Sequence, residues 1–409
     1  MDAIKKAWLV LREQGVKAVV SRVITRVLGE PKALPNSVPL RFLVKADDAA
    51  AVDWSIPHPA VTSPVTVTGE SITFAWIMYP PGESSGGAQN IFRFMKHLED
   101  AGHRNRVYLY AANEAFSPAL VQQMIQSSPS YPEIRATFRA YDGAVDPDVD
   151  AIFATGWETA YPSFLDPSPA RRLYFVQDFE PYFFPVGSEA VLAENSYRFG
   201  FEAFTAGGFL AKKLRDEYGM KTTPFEFGAD ADRYRVTHTG ERKEVFFYAR
   251  PVTARRGFEL GILALQRFAE AKPDYTINLA GWDVSKYKIP FAYNNLKNLR
   301  LDELNGLYNR CATGLVISLT NMSLLPLELL AAGVIPVIND GPNNRLVSDN
   351  PYFEFTEASP PALARRMIEV VERDDLPAHA AAASASVQNV DWATSGAAFV
   401  RAVEESLRG

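Results

Sequence analysis

The sequence is poor in cysteine and histidine. Among its 409 residues there is one cysteine, Cys311, and there are five histidines. A single thiol cannot form an internal disulfide or supply a multi-cysteine zinc site, so the disulfide-rich secreted classes are excluded. The histidines show no close pairing, and neither a nucleophilic triad nor a metalloprotease spacing is visible. This cysteine usage is typical of a reducing compartment, and we expect a cytoplasmic location.

Long apolar runs and an excess of positive charge are also missing. No apolar run reaches the roughly 18 residues of a membrane-spanning helix. There are 42 Lys and Arg against 48 Asp and Glu, a net charge of −6, which argues against a nucleic-acid partner. Apolar residues make up 47% of the chain and charged residues 22%, so a disordered chain is excluded. We therefore predict a globular protein of two to four domains.

Basic residues are concentrated in residues 1–30. Apolar side chains recur there at roughly helical spacing, and Lys and Arg outnumber Asp and Glu. The pattern predicts a basic amphipathic helix, which either makes peripheral contact with the inner face of an anionic membrane or packs on the protein with its basic face in solvent. Residues 31–70 are rich in proline and predict an extended linker or wrap.

Strand and helix patterns alternate from residue 71 onward. The first set begins with the apolar run ITFAWIMY at 72–79, and a second set begins with EVFFYAR at 244–250. Strand, helix and strand in sequence predict parallel sheets with helices on both faces. We expect two doubly wound, Rossmann-like α/β domains, at 71–235 and 236–390, which face each other across a cleft.

Two strand-end segments suggest a phosphate site, because ligands of such sheets bind at the carboxyl ends of the strands. Gly86 and Gly87 follow the first strand, and glycine lets backbone approach a phosphate or sugar at a helix N-terminus. Arg250, Arg255 and Arg256 follow the first strand of the second domain, and guanidinium groups match phosphate oxygens. The alternatives are a simple tight turn and surface arginines paired with nearby acids.

Two acidic segments add to the candidate site. Glu328 lies in an apolar helical segment, where a charge needs a partner and a carboxylate can accept hydrogen bonds from ribose hydroxyls. Gln177, Asp178 and Glu180 end a strand within an aromatic stretch that suits a sugar ring, and a carboxylate there can act as base or hydroxyl acceptor. The alternatives are a glutamate that suits the helix dipole and an aromatic cluster with a capping acid.

Alternate-residue aspartates in 146–150 and 230–232 raise the question of a metal site. Such carboxylate pairs can hold a hard cation. Here one set lies in the turn-like DPDVD and the other in the stretch between the two domains. We interpret both as turn chemistry and predict no metal site.

Together these segments resemble glycosyltransferases of the GT-B fold, in particular glycosyltransferase family 4, over about residues 70–409. The motifs that carry the likeness are Gly86-Gly87, AGHRNRVYLY, FGADADRYRV, YARPVTARRG and SLTNMSLLPLELLAAGVIPVI. The stretch FVQDFEPYFFPVGSEAVLAENSYRFG is similar to WsaF-type rhamnosyltransferases, which build bacterial surface polysaccharides. The final segment, 391–409, is similar to the helix that in this fold crosses back to the N-terminal domain.

The resemblance implies retaining transfer of a sugar from a nucleotide-sugar donor to a glycan or lipid-linked glycan acceptor. It implies no cofactor and no bound metal, and the WsaF likeness points to dTDP-L-rhamnose as the donor. Three alternatives remain open. One is the same fold with another UDP- or GDP-sugar, and another is a non-catalytic glycan-binding or scaffold subunit of a polysaccharide synthesis complex. The third is a metal-dependent transferase that uses the aspartate pairs.

The resemblance also implies roles for individual residues. Arg250 and Asp178 would be catalytic. Donor binding would involve Gly86, Gly87, Arg250, Arg255, Arg256, Gly281, Trp282, Leu299, Asn321, Ser323, Leu325 and Glu328. Gln177, Asp178 and Glu180 would face the acceptor or the transferred sugar. The family usually has a second glutamate eight positions before the one in the helix, where this chain has Thr320, so contacts to the donor sugar are expected from groups such as Asn321 or Ser323.

Overall fold

A computed structural model describes residues 42–83, 85–230, 232–388 and 390–408. The amphipathic helix predicted at 1–30 and the beginning of the 31–70 segment lie outside these residues. The described part of that segment forms two short helices, α1 (Ala46–Ala51) and α2 (Pro59–Thr62). Tyr110 of the first domain donates to Asp48 at 2.6 Å, so α1 is attached to the domain surface. Within the ranges given, no helix is long and apolar enough to cross a membrane.

The first domain contains a seven-stranded sheet in which every strand pair is parallel. The strands are β1 (Thr73–Met78), β2 (Arg104–Leu109), β3 (Thr137–Ala140), β4 (Ala151–Ala154), β5 (Arg171–Val176), β6 (Glu202–Ala206) and β7 (Thr222–Phe225). Their spatial order is β3-β2-β1-β4-β5-β6-β7. All six residues of β1 are buried, as expected for an apolar run in a sheet covered on both faces.

Helices cover both faces of this sheet. They are α3 (Gly86–Asp100), α4 (Pro118–Ser127), α5 (Trp157–Leu165), α6 (Ser188–Asn195) and α7 (Gly208–Tyr218), with 3₁₀ turns at Glu180–Phe183 and Ser196–Arg198. The Ser85 hydroxyl accepts from the Ala88 amide at 3.4 Å and caps α3. The Gly-rich turn after β1 therefore leads directly into a helix N-terminus.

The second domain contains a six-stranded parallel sheet in the order β10-β9-β8-β11-β12-β13. The strands are β8 (Glu244–Tyr248), β9 (Thr276–Ala280), β10 (Asn294–Lys297), β11 (Cys311–Val316), β12 (Ile335–Asn339) and β13 (Glu354–Thr356). The helices are α8 (Phe258–Ala271), α9 (Leu301–Tyr308), α10 (Leu325–Ala331), α11 (Pro342–Arg345), α12 (Pro360–Val371) and α13 (Leu376–Ser386), with a 3₁₀ turn at Ala254–Arg256. The predicted fold class, two parallel-sheet α/β domains, is confirmed.

The last helix, α14 (Trp392–Arg408), lies on the first domain. The Phe399 ring is 4.6 Å from Phe94 and 5.5 Å from Phe204, centroid to centroid. The Ser406 hydroxyl donates to the Glu202 carboxylate at 2.6 Å. Apolar burial with aromatic contacts therefore returns the end of the chain to the domain in which the described residues begin.

Candidate functional site

The carboxyl ends of the two sheets face each other across a narrow cleft. Asp178, which follows β5, has its Oδ2 atom 3.3 Å from Nε of Arg255, which follows β8. Asn321, which follows β11, donates from Nδ2 to the Gln177 carbonyl at 3.0 Å. Residues that the sequence marked on separate strands of separate domains are therefore neighbours in space.

Arg256 is held inside the second-domain side of the cleft. Its Nη1 donates to the Ser318 hydroxyl at 2.9 Å. Burial lowers the pKa of the Arg256 guanidinium, and the neighbouring charge of Arg255 lowers it further. Grouped guanidinium charges of this kind favour a bound anion, and their planar donors suit phosphate oxygens.

Arg250 and Arg255 each lie beside an aromatic ring at the cleft. Arg250 Nη1 donates to the Tyr248 hydroxyl at 3.2 Å, and its guanidinium lies 5.9 Å from the Trp282 ring centroid. Arg255 stacks 4.1 Å from the Phe183 ring centroid. In the part of the chain that the structure describes, the buried Nε atom of Arg250 makes no hydrogen bond, whereas Arg255 Nε is ion-paired with Asp178. A buried donor without an acceptor in a cationic cleft indicates a ligand that carries acceptors.

Asp178 contributes a buried carboxylate from the first domain. Burial raises the pKa of Asp178, while Arg255, the Thr320 hydroxyl and Arg256 lower it. One carboxylate oxygen also accepts from the Phe179 amide at 2.9 Å. Thr320 stands where the family usually has a glutamate. The Asp178 carboxylate, from the opposite domain, lies beside that position.

Glu180 and Glu158 form a second acidic group at the first-domain sheet edge. Glu180 Oε2 accepts from the Trp157 amide at 2.5 Å, at the beginning of α5. Burial raises the pKa of Glu180 well above its usual range, and the neighbouring Glu158 raises it further. Glu158 was not singled out in the sequence, although it also follows a strand, β4, by a few residues. The strand-end rule that marked Asp178 could have found it.

Gly86 and Gly87 begin α3 next to Gln177. The Gln177 side chain donates from Nε2 to the Gly87 carbonyl at 3.0 Å. A Cβ atom at Gly86 would meet open space, and one at Gly87 would come 3.4 Å from Gln177 Nε2. The pair thus leaves a thin stretch of backbone at a helix N-terminus, where free amides attract an anion.

Glu328 lies in the first turn of α10, between the buried side chains of Leu327 and Leu329. Burial raises the pKa of Glu328 to about 7, against the opposing effect of Arg93 and Arg233. Arg93 belongs to α3 of the first domain and Arg233 to the stretch between the domains. Both cations whose charge acts on Glu328 therefore lie outside its own domain.

The other residues predicted to bind the nucleotide-sugar donor lie in different surroundings. Gly281 has φ +112° and a Cβ atom there would lie 2.5 Å from the Tyr248 ring, so only glycine fits, and it places Trp282 beside Arg250. Leu299 and Leu325 are half-buried and pack against the hydrophobic core. Ser323 is half-buried in the loop before α10.

Three of the alternate-residue aspartates take part in ion pairs. Arg106 Nη1 lies 2.9 Å from Asp146 Oδ2 and 2.6 Å from Asp148 Oδ1. Asp230 lies 3.3 Å from Arg93 and 3.6 Å from Arg233. Among the residues described, no group of three or more His, Cys, Asp and Glu side chains is arranged to hold a metal ion.

The second domain is similar to a described family. Residues 243–368 match the family described as WsaF, C-terminal domain. The match extends from the residue before β8 into α12, and it includes Arg250, Arg256 and Glu328. The resemblance to WsaF-type proteins is therefore confirmed.

A curated relative and two solved structures extend the comparison. The chain is 30% identical over 344 residues to the O-antigen biosynthesis protein RfbC of Myxococcus xanthus, an alignment that covers 82% of this chain and 27% of that protein. This chain therefore spans about a quarter of the relative's length. Sucrose-phosphate synthase from Thermosynechococcus elongatus superposes with a TM-score of 0.60 at 12% identity, covering 82% of this chain and 99% of that one. WaaG, a glycosyltransferase involved in lipopolysaccharide biosynthesis, superposes with a TM-score of 0.58 at 12% identity, covering 81% and 99%. At these identities the structures show the fold alone, which is GT-B.

Proposed function

We propose that this chain, a WsaF-like protein of the GT-B fold, is a glycosyltransferase of bacterial surface-polysaccharide assembly. In this proposal it moves a sugar from a nucleotide-sugar donor to a glycan or lipid-linked glycan acceptor. The specific assignment is L-rhamnose from dTDP-L-rhamnose, transferred with retention of anomeric configuration and without a metal ion.

The observation that carries the proposal is the set of three arginines at the end of β8. One of them, Arg250, has a buried Nε donor for which no described residue is an acceptor. A carboxylate, Asp178, faces them across the cleft. A nucleotide diphosphate supplies oxygen acceptors for the arginines, and the sugar attached to it would lie toward the carboxylate side.

The chemistry of transfer follows from this division of charge. When the bond between the anomeric carbon and the diphosphate oxygen breaks, its electron pair stays on the phosphate, where Arg250, Arg256 and the α3 N-terminus stabilise the new negative charge. The anomeric carbon becomes oxocarbenium-like, and the Asp178 carboxylate supports its positive charge. The acceptor oxygen then forms the new bond, and its proton passes to the departing phosphate. Fixed arginines supply the charge that a metal would otherwise bring.

Thermal unfolding with a panel of nucleotides tests the proposal. The panel is dTDP, UDP, GDP, ADP and dTDP-L-rhamnose, each with and without EDTA. A ligand at a hundred times its Kd adds about 2.7 kcal/mol, which raises the Tm by several degrees for domains of this size. A shift confined to dTDP species and unchanged by EDTA supports the full proposal. A shift with UDP or GDP alone would contradict the rhamnose assignment, and no shift at all would favour the non-catalytic scaffold.

We also propose that the reaction takes place in the cytoplasm at the inner face of the membrane. A lipid-linked acceptor would be found there, and the basic residues of 1–30 would be attracted to anionic headgroups. Flotation with liposomes that contain anionic lipid, with the full chain and with residues 1–30 deleted, tests this. Equal flotation of the two proteins would overturn the membrane role.

A further inference from the structure

Asn321 connects the two domains through its side-chain amide. It lies in the loop between β11 and α10 and is only 2% exposed. Its Nδ2 donates to the Gln177 carbonyl at 3.0 Å and to the Ala206 carbonyl at 3.1 Å. These carbonyls follow β5 and end β6, at the carboxyl edge of the first-domain sheet. One buried amide therefore satisfies two acceptors on the opposite domain.

The same loop is bonded to an arginine of the proposed donor site. Arg256 Nη1 donates to the Ser318 hydroxyl at 2.9 Å, and that hydroxyl donates in turn to the Asn321 carbonyl. The Ser318 carbonyl is fixed by three amides. It accepts from Asn339 at 3.0 Å, from Asn343 at 2.8 Å and from Asn344 at 3.1 Å. A loop tied at so many points holds Asn321 in a defined place.

On the first domain the contacts continue to the Gly-rich turn. The residue whose carbonyl accepts from Asn321 is Gln177, and its side chain donates to the Gly87 carbonyl at 3.0 Å. Asn90 of α3 donates to the Gln177 side-chain oxygen at 3.1 Å. Arg256, Asn321 and Gly87 therefore belong to one continuous path of polar contacts across the cleft.

We propose that Asn321 is a positioning residue that sets the phosphate-facing turns of the two domains in register and holds the cleft closed around the donor. The inference rests on the proposed function for its ligand, and it adds a part that the family assignment does not name. Two turns that must contact one diphosphate need a fixed separation, because misplacement of reacting groups by about 1 Å can cost 10²-fold in rate. Asn321 provides that separation without itself contacting the reacting atoms.

Two substitutions remove the interdomain hydrogen bonds of Asn321 in different ways. Asn321→Asp keeps the shape of the side chain, but it has no N–H to donate and brings carboxylate oxygens against two carbonyl oxygens. Asn321→Ala removes the amide and with it both interdomain hydrogen bonds. Since Arg250, Arg255 and Arg256 remain in both variants, we expect the Kd for dTDP to change by less than about threefold and kcat to fall by about tenfold or more, the scale of two lost buried hydrogen bonds.

Asn343→Ala is the matched control. Asn343 donates to the same Ser318 carbonyl, but it makes this contact within the second domain. Its loss weakens the loop by one hydrogen bond and leaves the interdomain contacts in place. We expect this variant to keep the domain arrangement of the original protein.

The test combines small-angle X-ray scattering, calorimetric titration with dTDP and turnover of dTDP-L-rhamnose, on the full chain and the three variants. A larger radius of gyration and a selective loss of kcat in both Asn321 variants, absent from Asn343→Ala, support the bridge. An unchanged radius of gyration, or equal losses in dTDP affinity and kcat, would overturn it. If the unaltered chain binds no nucleotide diphosphate, the proposed function fails, and the scattering comparison alone still decides whether Asn321 holds the domains together. Asn321→Ser serves in place of any Asn321 variant that does not fold.

Discussion

The two sides of the cleft hold their polar groups in different ways. On the second-domain side, Arg256 and the loop after β11 are fixed by hydrogen bonds to Ser318 and the neighbouring asparagines. On the first-domain side, carboxyl groups adjoin an aromatic turn whose tip is exposed, with 57% of Tyr182 accessible and Val186 fully accessible.

This difference matches two kinds of ligand. A diphosphate has the same charge and shape in every nucleotide-sugar donor, so a fixed cationic site suits it. Glycan acceptors vary, and an aromatic, partly exposed surface can adapt to them. The family match at 243–368 falls on the fixed side. Under the proposed function, the fixed second-domain side binds the donor and the more exposed first-domain side binds the acceptor.

The largest effect is expected from removing an arginine on the second-domain side of the cleft. Arg250→Ala removes a guanidinium whose buried Nε has no acceptor among the described residues. We expect kcat to fall by about a hundredfold or more, the scale of one lost charge-stabilising group. Turnover of dTDP-L-rhamnose measures it. Arg373→Ala, which removes a half-buried arginine paired with Asp375, is the control. Near-normal turnover in Arg250→Ala would exclude this arginine from the mechanism.

A smaller effect, which changes kcat more than the Kd for dTDP, is expected from a substitution on the first-domain side of the cleft. Asp178→Asn keeps the size of the side chain and its contact with the Phe179 amide, but it removes the charge next to Arg255. We expect kcat to fall by about tenfold, as for one charge-assisted hydrogen bond, with the Kd for dTDP changed less than about threefold. Steady-state kinetics and calorimetry on the same preparation separate the two quantities. A loss of dTDP affinity as large as the loss of kcat would erase the contrast between the two sides.

The smallest effect concerns pH. Burial raises the pKa of Glu328 to about 7, so between pH 4.5 and 7 the folded state binds a proton that the unfolded state does not. Stability from this group therefore falls as pH rises through that window. Glu328→Gln cannot ionise, and we expect its Tm to exceed that of the unaltered chain by a few degrees at pH 8 and to match it near pH 5.

The control for the pH experiment is Glu405→Gln, on the exposed side of α14. It should show no such pH-dependent difference in Tm. Equal Tm differences at pH 5 and pH 8 for Glu328→Gln would mean that Glu328 is already ionised at the lower pH.

Central strands were predictable, but three of the four edge strands were not. The runs at 72–79 and 244–250 predicted β1 and β8, which lie inside their sheets and are therefore apolar on both faces. The strands β7, β10 and β13 were not predicted, and each forms an edge of its sheet. These three edge strands are short and partly polar because one side lacks a neighbour.

The residues of the candidate site were largely predictable from the sequence, but their contacts with one another were not. The rule that ligands bind after strands marked Arg250, Arg256 and Asp178 in their separate segments. It did not reveal that Asp178 lies beside Arg255 and Thr320, or that Glu158 lies beside Glu180. Distances between domains depend on how two separately folded sheets pack together, and no local pattern records that packing.

By itself the sequence determined the class of the molecule: two parallel-sheet domains, one thiol, and strand ends that carry arginines in one domain and carboxylates in the other. Apolar periodicity and side-chain chemistry are local properties, so they can be read from neighbouring residues. Only the tertiary structure decided that the Asn321 amide reaches two carbonyls of the other domain, and that the arginines whose charge acts on Glu328 come from α3 and the stretch between the domains. These pairings join residues far apart in the chain, and they exist because burial leaves no water to satisfy the same polar groups.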